Sequence, residues 1–155
     1  MNLNEKPTVL ILDDDSSNLD SFVANFRRNY EIMAFSNPLE ALKALDHSDV
    51  QIVVTDQNMP LMKGVDFLTE VSTRHPKIMR ILLTGSMDIE TALDAVNRAK
   101  VCSIITKPFD VKAISDMIGG AYEEFKAQIS KDTLIKTLQK QNQQFEFMLR
   151  QKGNS

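Results

Sequence analysis

Five short apolar runs alternate along the chain with longer segments in which apolar residues recur at helical spacing. Runs one, three and four are nearly continuous in valine, isoleucine and leucine, which is typical of strands covered on both faces. The second run is mixed with Glu31, as an edge strand would be. The predicted strands are Thr8–Leu12, Glu31–Phe35, Gln51–Thr55, Ile78–Leu83 and Val101–Thr106.

The segments between the runs are predicted to be amphipathic helices. Ser17 followed by Asp20 resembles a capping box, and Asn37-Pro38 is typical of an N-cap followed by proline in the first turn. Repeated alternation of strand and helix predicts an α/β fold, a flavodoxin-like doubly wound (βα)5 domain with a parallel five-stranded sheet in the order 2-1-3-4-5. The helical stripes lie at Leu19, Phe22, Val23 and Phe26, at Leu39, Leu42 and Leu45, at Val65, Leu68 and Val71, and at Ile89, Leu93 and Val96.

The C-terminal part of the chain departs from this alternation. A helix is predicted from Asp110, but Gly119-Gly120 interrupts it at a cost of roughly 2 kcal/mol relative to alanine, so the pair is either a tolerated weak point or a hinge. Beyond the pair come two apolar stripes, out of phase across Asp132, and each resembles a short heptad patch. The first contains Tyr122, Phe125 and Ile129; the second contains Ile135, Leu138, Phe145 and Leu149, with Asn142 at an interior position.

We therefore predict a domain over residues 8–121 and a C-terminal helical extension over residues 122–155. Two interpretations of the extension stay open. It is either a short coiled coil that joins two copies through residues 122–150, or a Gln-rich linker to an output domain.

Composition narrows the class of protein further. The 155 residues, 43% hydrophobic and 25% charged, fit one globular domain with a modest extension. The net charge of −3 comes without a basic block, so direct nucleic-acid binding is not expected.

Cys102 is the sole cysteine and is expected to be a buried small hydrophobe in a reducing compartment. Neither a signal-peptide core nor a membrane-length apolar stretch occurs, which predicts a cytoplasmic protein without membrane contact.

Polar residues end four of the predicted strands, and the carboxyl ends of parallel strands share one edge of a sheet. These residues are Asp13-Asp14, Asp56, Thr84 and Lys107. Each has a plainer explanation when taken alone, since the acids could cap the next helix and the lysine could be a solvated surface charge. Together, carboxylates, a hydroxyl and an ammonium at one edge can bind a divalent cation such as Mg²⁺ and a phosphoryl group.

This set resembles the receiver domain of bacterial two-component response regulators. The resemblance covers residues 8 to about 121, and it depends on residue order, spacing and placement at strand ends. The motifs that carry it are Asp13-Asp14, Asp56-x-x-Met59-Pro60, Thr84-Gly85 and Lys107-Pro108-Phe109. The bond between Lys107 and Pro108 is a candidate for the cis isomer, which would aim the ammonium inward.

The resemblance implies a regulatory phosphoacceptor that catalyses only its own phosphorylation and dephosphorylation. Asp56 would receive a phosphoryl group from a histidine kinase or a phosphotransfer protein. Asp14, Asp56 and the backbone carbonyl of Asn58 would ligate Mg²⁺ directly, and Asp13 would act mainly through a bound water. The phosphoryl oxygens would be held by Thr84 and Lys107.

The chain departs from the family at Ile104, three positions before the lysine, where receivers usually carry an aromatic residue that turns inward on activation. Rotation of an aromatic ring is therefore not the expected readout, although Thr84 could still close and bias residues 85–106 between two arrangements. The Leu82-Leu83-Thr84-Gly85 stretch and the following helix also look similar to receivers fused to cyclic-dinucleotide phosphodiesterase domains of the HD type. That likeness would make the extension a connector to such an output domain.

A phosphatase of the haloacid dehalogenase type is the alternative function, with Asp13 and Asp15 as nucleophile and acid–base pair. That class needs a further acidic motif at another strand end, whereas Asp110 and Asp116 fall in a predicted helix. A flavin-binding module on the same fold is disfavoured, because three acids follow the first strand and would repel the phosphate of FMN.

Overall fold

The computed structural model describes residues 6–86, 88–108 and 110–153. Five parallel strands form one sheet in the order β2-β1-β3-β4-β5, which confirms the predicted topology. The strands are β1 (Thr8–Leu12), β2 (Glu31–Phe35), β3 (Ile52–Asp56), β4 (Met79–Thr84) and β5 (Ser103–Thr106). The helices are α1 (Ser16–Phe26), α2 (Pro38–His47), α3 (Gly64–Arg74), α4 (Ile89–Asn97) and α5 (Val111–Gly153).

The strand bounds follow the apolar runs closely. The first two strands begin and end as predicted, the third and fourth begin and end one residue later, and the fifth is shorter. The central strands β3 and β4 are buried along their whole length, whereas β2 lies at the edge of the sheet with Glu31 exposed. Continuous apolar runs therefore mark the strands that carry helices on both faces.

Register brings the strand ends to one level. Leu12 pairs with Thr55 and Thr84 pairs with Thr106, so the residues that end or follow these strands emerge along one edge. Successive strands are added to one side of β1 as far as β2 and to its other side from β3 onward. In open parallel sheets, ligands bind at the point between β1 and β3 where this order of addition reverses. We call this edge of the sheet the rim; its polar members are Asp13, Asp14, Asp56, Thr84 and Lys107.

Helices cover both faces of the sheet, and each face has its own apolar cluster. One cluster joins β1, β3 and β4 to α2, α3 and α4, and the other joins the sheet to α1 and α5. Arg80 of β4 is a charged residue buried among these apolar side chains. Its guanidinium donates hydrogen bonds to the carbonyl oxygens of Ala99 and Lys100 at 2.9 and 3.0 Å. Arg80 thereby ties the end of α4 to the sheet.

Two of the predicted helix starts have different outcomes. Asn37 caps α2, with Pro38 in the first turn, as predicted. The capping box at Ser17 is wrong, because the cap of α1 is Asp15, whose carboxylate accepts from the backbone N–H groups of Ser17 and Asn18. Asp15 precedes the first helical residue, and this is the position from which a short acidic side chain reaches those groups.

Helix α4 forms where its apolar stripe predicts, but the stripe does not face the sheet. Ile89, Leu93 and Val96 are 80%, 55% and 58% exposed. Ala95 and Ala99 are buried instead. Small side chains allow the helix to lie close to the sheet, and its large apolar residues then point to solvent.

Helix α5 runs without interruption through Gly119-Gly120, so the pair lies inside one helix in this structure. Its first part packs on the sheet through Ile114, Ile118 and Phe125. From Thr133 onward every described residue is exposed. No described helix has both the length and the apolar character needed to cross a membrane.

Candidate functional site

The rim brings three carboxylates together. Asp13 follows β1 directly, Asp14 comes next, and Asp56 is the last residue of β3. One oxygen from each lies within 4.8 Å of the others. Asp13 and Asp56 are buried and Asp14 is exposed, so the cluster opens to solvent on one side. An oxygen-only set with one open side fits the ligand preference of Mg²⁺.

Asp13 is held in place from the α1 side. Its Oδ1 accepts from the backbone N–H of Asp15 at 3.0 Å, and its Oδ2 accepts from the side-chain amide of Asn18 at 3.2 Å. Burial raises the pKa of Asp13, and the nearby charge of Asp56 adds to the rise, whereas the two hydrogen bonds and Lys107 oppose it. A carboxylate in this position is more costly to ionise than one in water, and a bound cation would offset that cost.

Asp56 is paired with the only rim cation among the described residues. The Lys107 ammonium lies 3.1 Å from Asp56 Oδ1, and the Asp56 side chain is 8% exposed. The backbone N–H of Lys107 donates to the carbonyl of Thr84 at 2.7 Å. The peptide bond between Lys107 and Pro108 is cis, as the sequence allowed. The remaining member of that motif, Phe109, lies outside the described residues.

Thr84 is fully buried at the end of β4, and its hydroxyl is already engaged. The hydroxyl donates to the carbonyl oxygen of Ser86 at 2.7 Å. Ile104 on β5 pairs with Leu82 and packs, partly buried, against the core. The hydroxyl is therefore tied to the loop after β4.

Three positioning residues were not predicted from the sequence: Asn18, Gln57 and Gly64. Gln57 Oε1 accepts from the N–H of Val65 at 2.9 Å, and the Gln57 carbonyl accepts from the N–H of Gly64 at 3.0 Å. A Cβ on Gly64 would collide with the carbonyl oxygen of Asp56 and lie 2.9 Å from Leu82 Cδ1. A glycine in the first turn of α3, shortly after the strand-ending acid, was the available signal for this close approach.

Asn58 lies in the loop after β3 and is exposed. Asp15 does not join the carboxylate cluster, because it caps α1. Asp110 likewise accepts from the N–H of Ala113 at 2.7 Å at the start of α5, and Asp116 lies within that helix. Apart from Asp13, the acidic groups considered for a haloacid dehalogenase phosphatase are thus occupied as helix caps or lie within a helix.

A cavity of about 380 Å³ adjoins the rim between α1 and the start of α5. Asp13, Asn18 and Lys107 contribute its polar wall, and Phe22 and Ile114 contribute apolar wall. The cavity therefore adjoins the carboxylate cluster on the side of α1.

Residues 9–119 match the profile of the response regulator receiver domain. The hydrogenase transcriptional regulatory protein HoxA of Cupriavidus necator is 32% identical over 77% of this chain and 25% of its own length. The chain spans about a quarter of the length of the first curated relatives it matches.

Two solved structures illustrate the likeness in fold. The adenylate cyclase from Rhodopirellula baltica has a TM-score of 0.80 at 28% identity, over 85% of this chain and 98% of that chain. The signal receiver domain of an HD domain-containing protein from Pseudomonas fluorescens has a TM-score of 0.76 at 23% identity, over 79% and 99% of the two chains. The second likeness concerns the fold alone.

Proposed function

The chain belongs to the response regulator receiver domain family, and on that premise we propose that Asp56 is its phosphoacceptor. Receiver domains are regulatory parts of two-component response regulators and bind Mg²⁺ at their acidic pocket. The observation that carries the proposal is the Asp56–Lys107 ion pair beside the other two carboxylates. Neither the family nor the site supports the phosphatase alternative.

We propose that Asp14, Asp56 and the backbone carbonyl of Asn58 hold the metal directly, and that Asp13 holds a metal-bound water. Mg²⁺ supplies positive charge that neutralises the phosphoryl oxygens. The carboxylate cluster supports this assignment, since three close acids repel one another without a cation.

In the proposed transfer, a carboxylate oxygen of Asp56 attacks the phosphorus of a phosphohistidine on a histidine kinase or phosphotransfer protein. The O–P bond forms as the N–P bond breaks, and the electron pair of that bond stays on the imidazole nitrogen. Lys107, which faces Asp56 Oδ1 at 3.1 Å, neutralises charge on an equatorial phosphoryl oxygen. The residues contribute mainly positioning and charge.

Thr84 couples the phosphoryl group to the rest of the domain in this proposal. Its hydroxyl would leave the Ser86 carbonyl and donate to a phosphoryl oxygen instead, which releases the loop after β4. Residues 85–106 would then shift between two arrangements. Ile104 cannot report this step by turning an aromatic ring.

The wider assignments are also proposals. They are a receiver unit over residues 8–121, a helical extension over 122–155, a homodimer through residues 122–150, and a cytoplasmic location. A downstream output domain of the HD phosphodiesterase type is a further proposal.

Incubation with acetyl phosphate and Mg²⁺, followed by intact-mass measurement, tests the phosphoacceptor. The unchanged chain is expected to gain one adduct of about 80 Da, and Asp56→Asn is expected to gain none. Asp20→Asn is the matched control, because Asp20 is an exposed acid on α1 outside the carboxylate cluster.

An adduct that persists in Asp56→Asn, or one that forms at the same rate when EDTA has removed divalent metal, would contradict the proposal. Phosphate turnover by Asp56→Asn through Asp13 would instead support the phosphatase.

A further inference from the structure

The two apolar stripes of the C-terminal extension have different partners. The first belongs to the receiver, since Phe125 is 8% exposed and Tyr122 and Ile129 pack against the cluster under α1 and α5. Asp132 makes a last ion pair with Lys77 at 3.6 Å. The phase change at Asp132 therefore separates a surface that the domain buries from one that it leaves free.

The second stripe projects beyond the domain. Six large apolar side chains there are between 43% and 64% exposed. No described residue outside α5 covers them. Most helical stability in proteins comes from packing of an apolar face, and this part of α5 has no such packing within the domain. These residues, the tail seam, are Leu134, Ile135, Leu138, Phe145, Met148 and Leu149.

From this geometry we infer that the tail seam pairs with the tail seam of a second copy of the chain, as a parallel, in-register, two-stranded coiled coil over residues 134–149. The inference rests on the proposed homodimer and narrows it to one segment, one orientation and one register.

The heptad positions support the two-stranded form. Ile135, Asn142 and Leu149 occupy successive a positions, and Leu138 and Phe145 occupy the d positions. A polar asparagine at an a position specifies register, because a buried amide costs free energy unless it meets another amide. In a parallel, in-register pair Asn142 meets its own copy.

The e and g positions that flank the tail seam are compatible with the pairing of two identical helices. In a parallel pair each g position faces the next e position of the partner helix. Gln141 would face Glu146 and Leu134 would face Gln139, so no like charges are opposed. Met148, the next g residue, widens the apolar face.

The exposed apolar area is of the size that a specific dimer needs. From their fractional exposures, the six side chains present at most roughly 650 Å² per helix, against the ~800 Å² per partner of a standard interface. The exposed stripe of α4 offers only three such residues, Ile89, Leu93 and Val96, and would make a weaker contact alone.

Phe145 and Phe147 provide a matched pair of variants for the test. Both are exposed phenylalanines of α5, at 59% and 58%, but Phe147 lies at an outer f position. Sedimentation equilibrium of the full chain across roughly 1–200 µM is expected to show a dimer for the unchanged protein and for Phe147→Asp. Phe145→Asp is expected to raise the dissociation constant at least ~100-fold, with acetyl-phosphate labelling of Asp56 unchanged as the check on folding.

Orientation is tested by disulfide cross-linking in a Cys102→Ser background. Ile135→Cys is expected to cross-link to its own copy on oxidation, because the register places the two residues 135 side by side. In an antiparallel pair a positions face d positions, so cross-linking only in a mixture of Ile135→Cys with Phe145→Cys would show an antiparallel pair and overturn the inference.

Three other outcomes would also overturn it. A monomer at all concentrations removes the homodimer as well, although Asp56 labelling, measured separately, would still stand. A dimer that survives Phe145→Asp belongs to another surface, such as the α4 stripe. Equal disruption by both variants would place the contact on a different face of α5.

Discussion

The rim and the projecting part of α5 are built on opposite principles. At the rim, buried strands fix each functional group, and Asp13, Asp56 and Thr84 all have hydrogen-bond or ion-pair partners within the domain. Beyond Asp132, the apolar side chains are ordered only by the helix that carries them. We therefore expect substitutions at the rim to affect stability more than substitutions beyond Asp132, where every described residue is exposed.

Glycine substitution shows this contrast most directly, and Gly64→Ala has the largest expected effect. The new Cβ would meet the Asp56 carbonyl oxygen and Gln57 Cα, so the end of β3 or the start of α3 must shift. We expect a loss of about 3 kcal/mol in the free energy of unfolding, measured by urea denaturation, together with slower labelling of Asp56. A loss below ~0.5 kcal/mol would mean that the rim is less rigid than its contacts indicate.

Removing one rim charge is the next largest change. Asp13→Asn should raise the free energy of unfolding of the metal-free protein by about 1 kcal/mol at neutral pH, because it relieves a buried carboxylate beside Asp56. The same variant should weaken Mg²⁺ binding by about tenfold. This affinity is measured from the rise in melting temperature as Mg²⁺ is added. Unaltered Mg²⁺ binding would remove Asp13 from the metal site.

The difference in free energy of unfolding between Asp13→Asn and the unchanged chain should depend on pH with a definite sign. The pKa of Asp13 is raised in the folded protein, so the folded state holds its proton more tightly than the unfolded chain does. Stability from this group is fully present below the ordinary aspartate pKa of 3.8 and is lost as pH rises through the folded pKa. Without metal, the advantage of Asp13→Asn over the unchanged chain should therefore grow from acid pH upward and then level off. A flat difference would show that burial does not control this carboxyl.

In α5, Gly119→Ala and Gly120→Ala make the same change as Gly64→Ala, but at positions where there is room for a Cβ. Apart from the neighbouring backbone of α5 itself, neither added Cβ meets an atom within 4 Å, so the helix propensity of alanine should dominate. Each variant is expected to raise the free energy of unfolding by about 1 kcal/mol, read by the same urea denaturation, without altering Asp56 labelling. A loss of stability, or an altered phosphorylation response, would revive the hinge interpretation of the pair.

The smallest expected effect concerns the ion pair between Lys77 of the domain and Asp132 of α5. The Lys77 and Asp132 side chains are 61% and 44% exposed, so their ion pair should contribute under ~1 kcal/mol and fade in high salt. A double-mutant cycle of Lys77→Ala with Asp132→Ala measures this coupling. A larger, salt-independent coupling would extend the rigid domain beyond Ile129.

Sequence patterns anticipated the sheet and the rim because both depend on short-range rules. Continuous apolar runs mark covered strands, and parallel strands bring their ends together, so the sequence alone places Asp56, Thr84 and Lys107 in one group. The cap of α1 was missed because three adjacent acids and two serines all suit that position. Gly64 was missed because a glycine shortly after the strand-ending acid indicates a close approach only weakly, and the distance between β3 and α3 that makes it necessary is set by the tertiary structure.

The sequence by itself determined the order of strands and helices, the acids and lysine of the rim, and the heptad positions of the tail, because periodicity and residue chemistry are local properties. Only the tertiary structure decided which apolar stripes are covered. The stripes of α4, of the first part of α5 and of the tail seam are alike as patterns, yet the domain buries only the one in the first part of α5. Burial depends on which elements lie opposite, and that is a property of the assembled sheet.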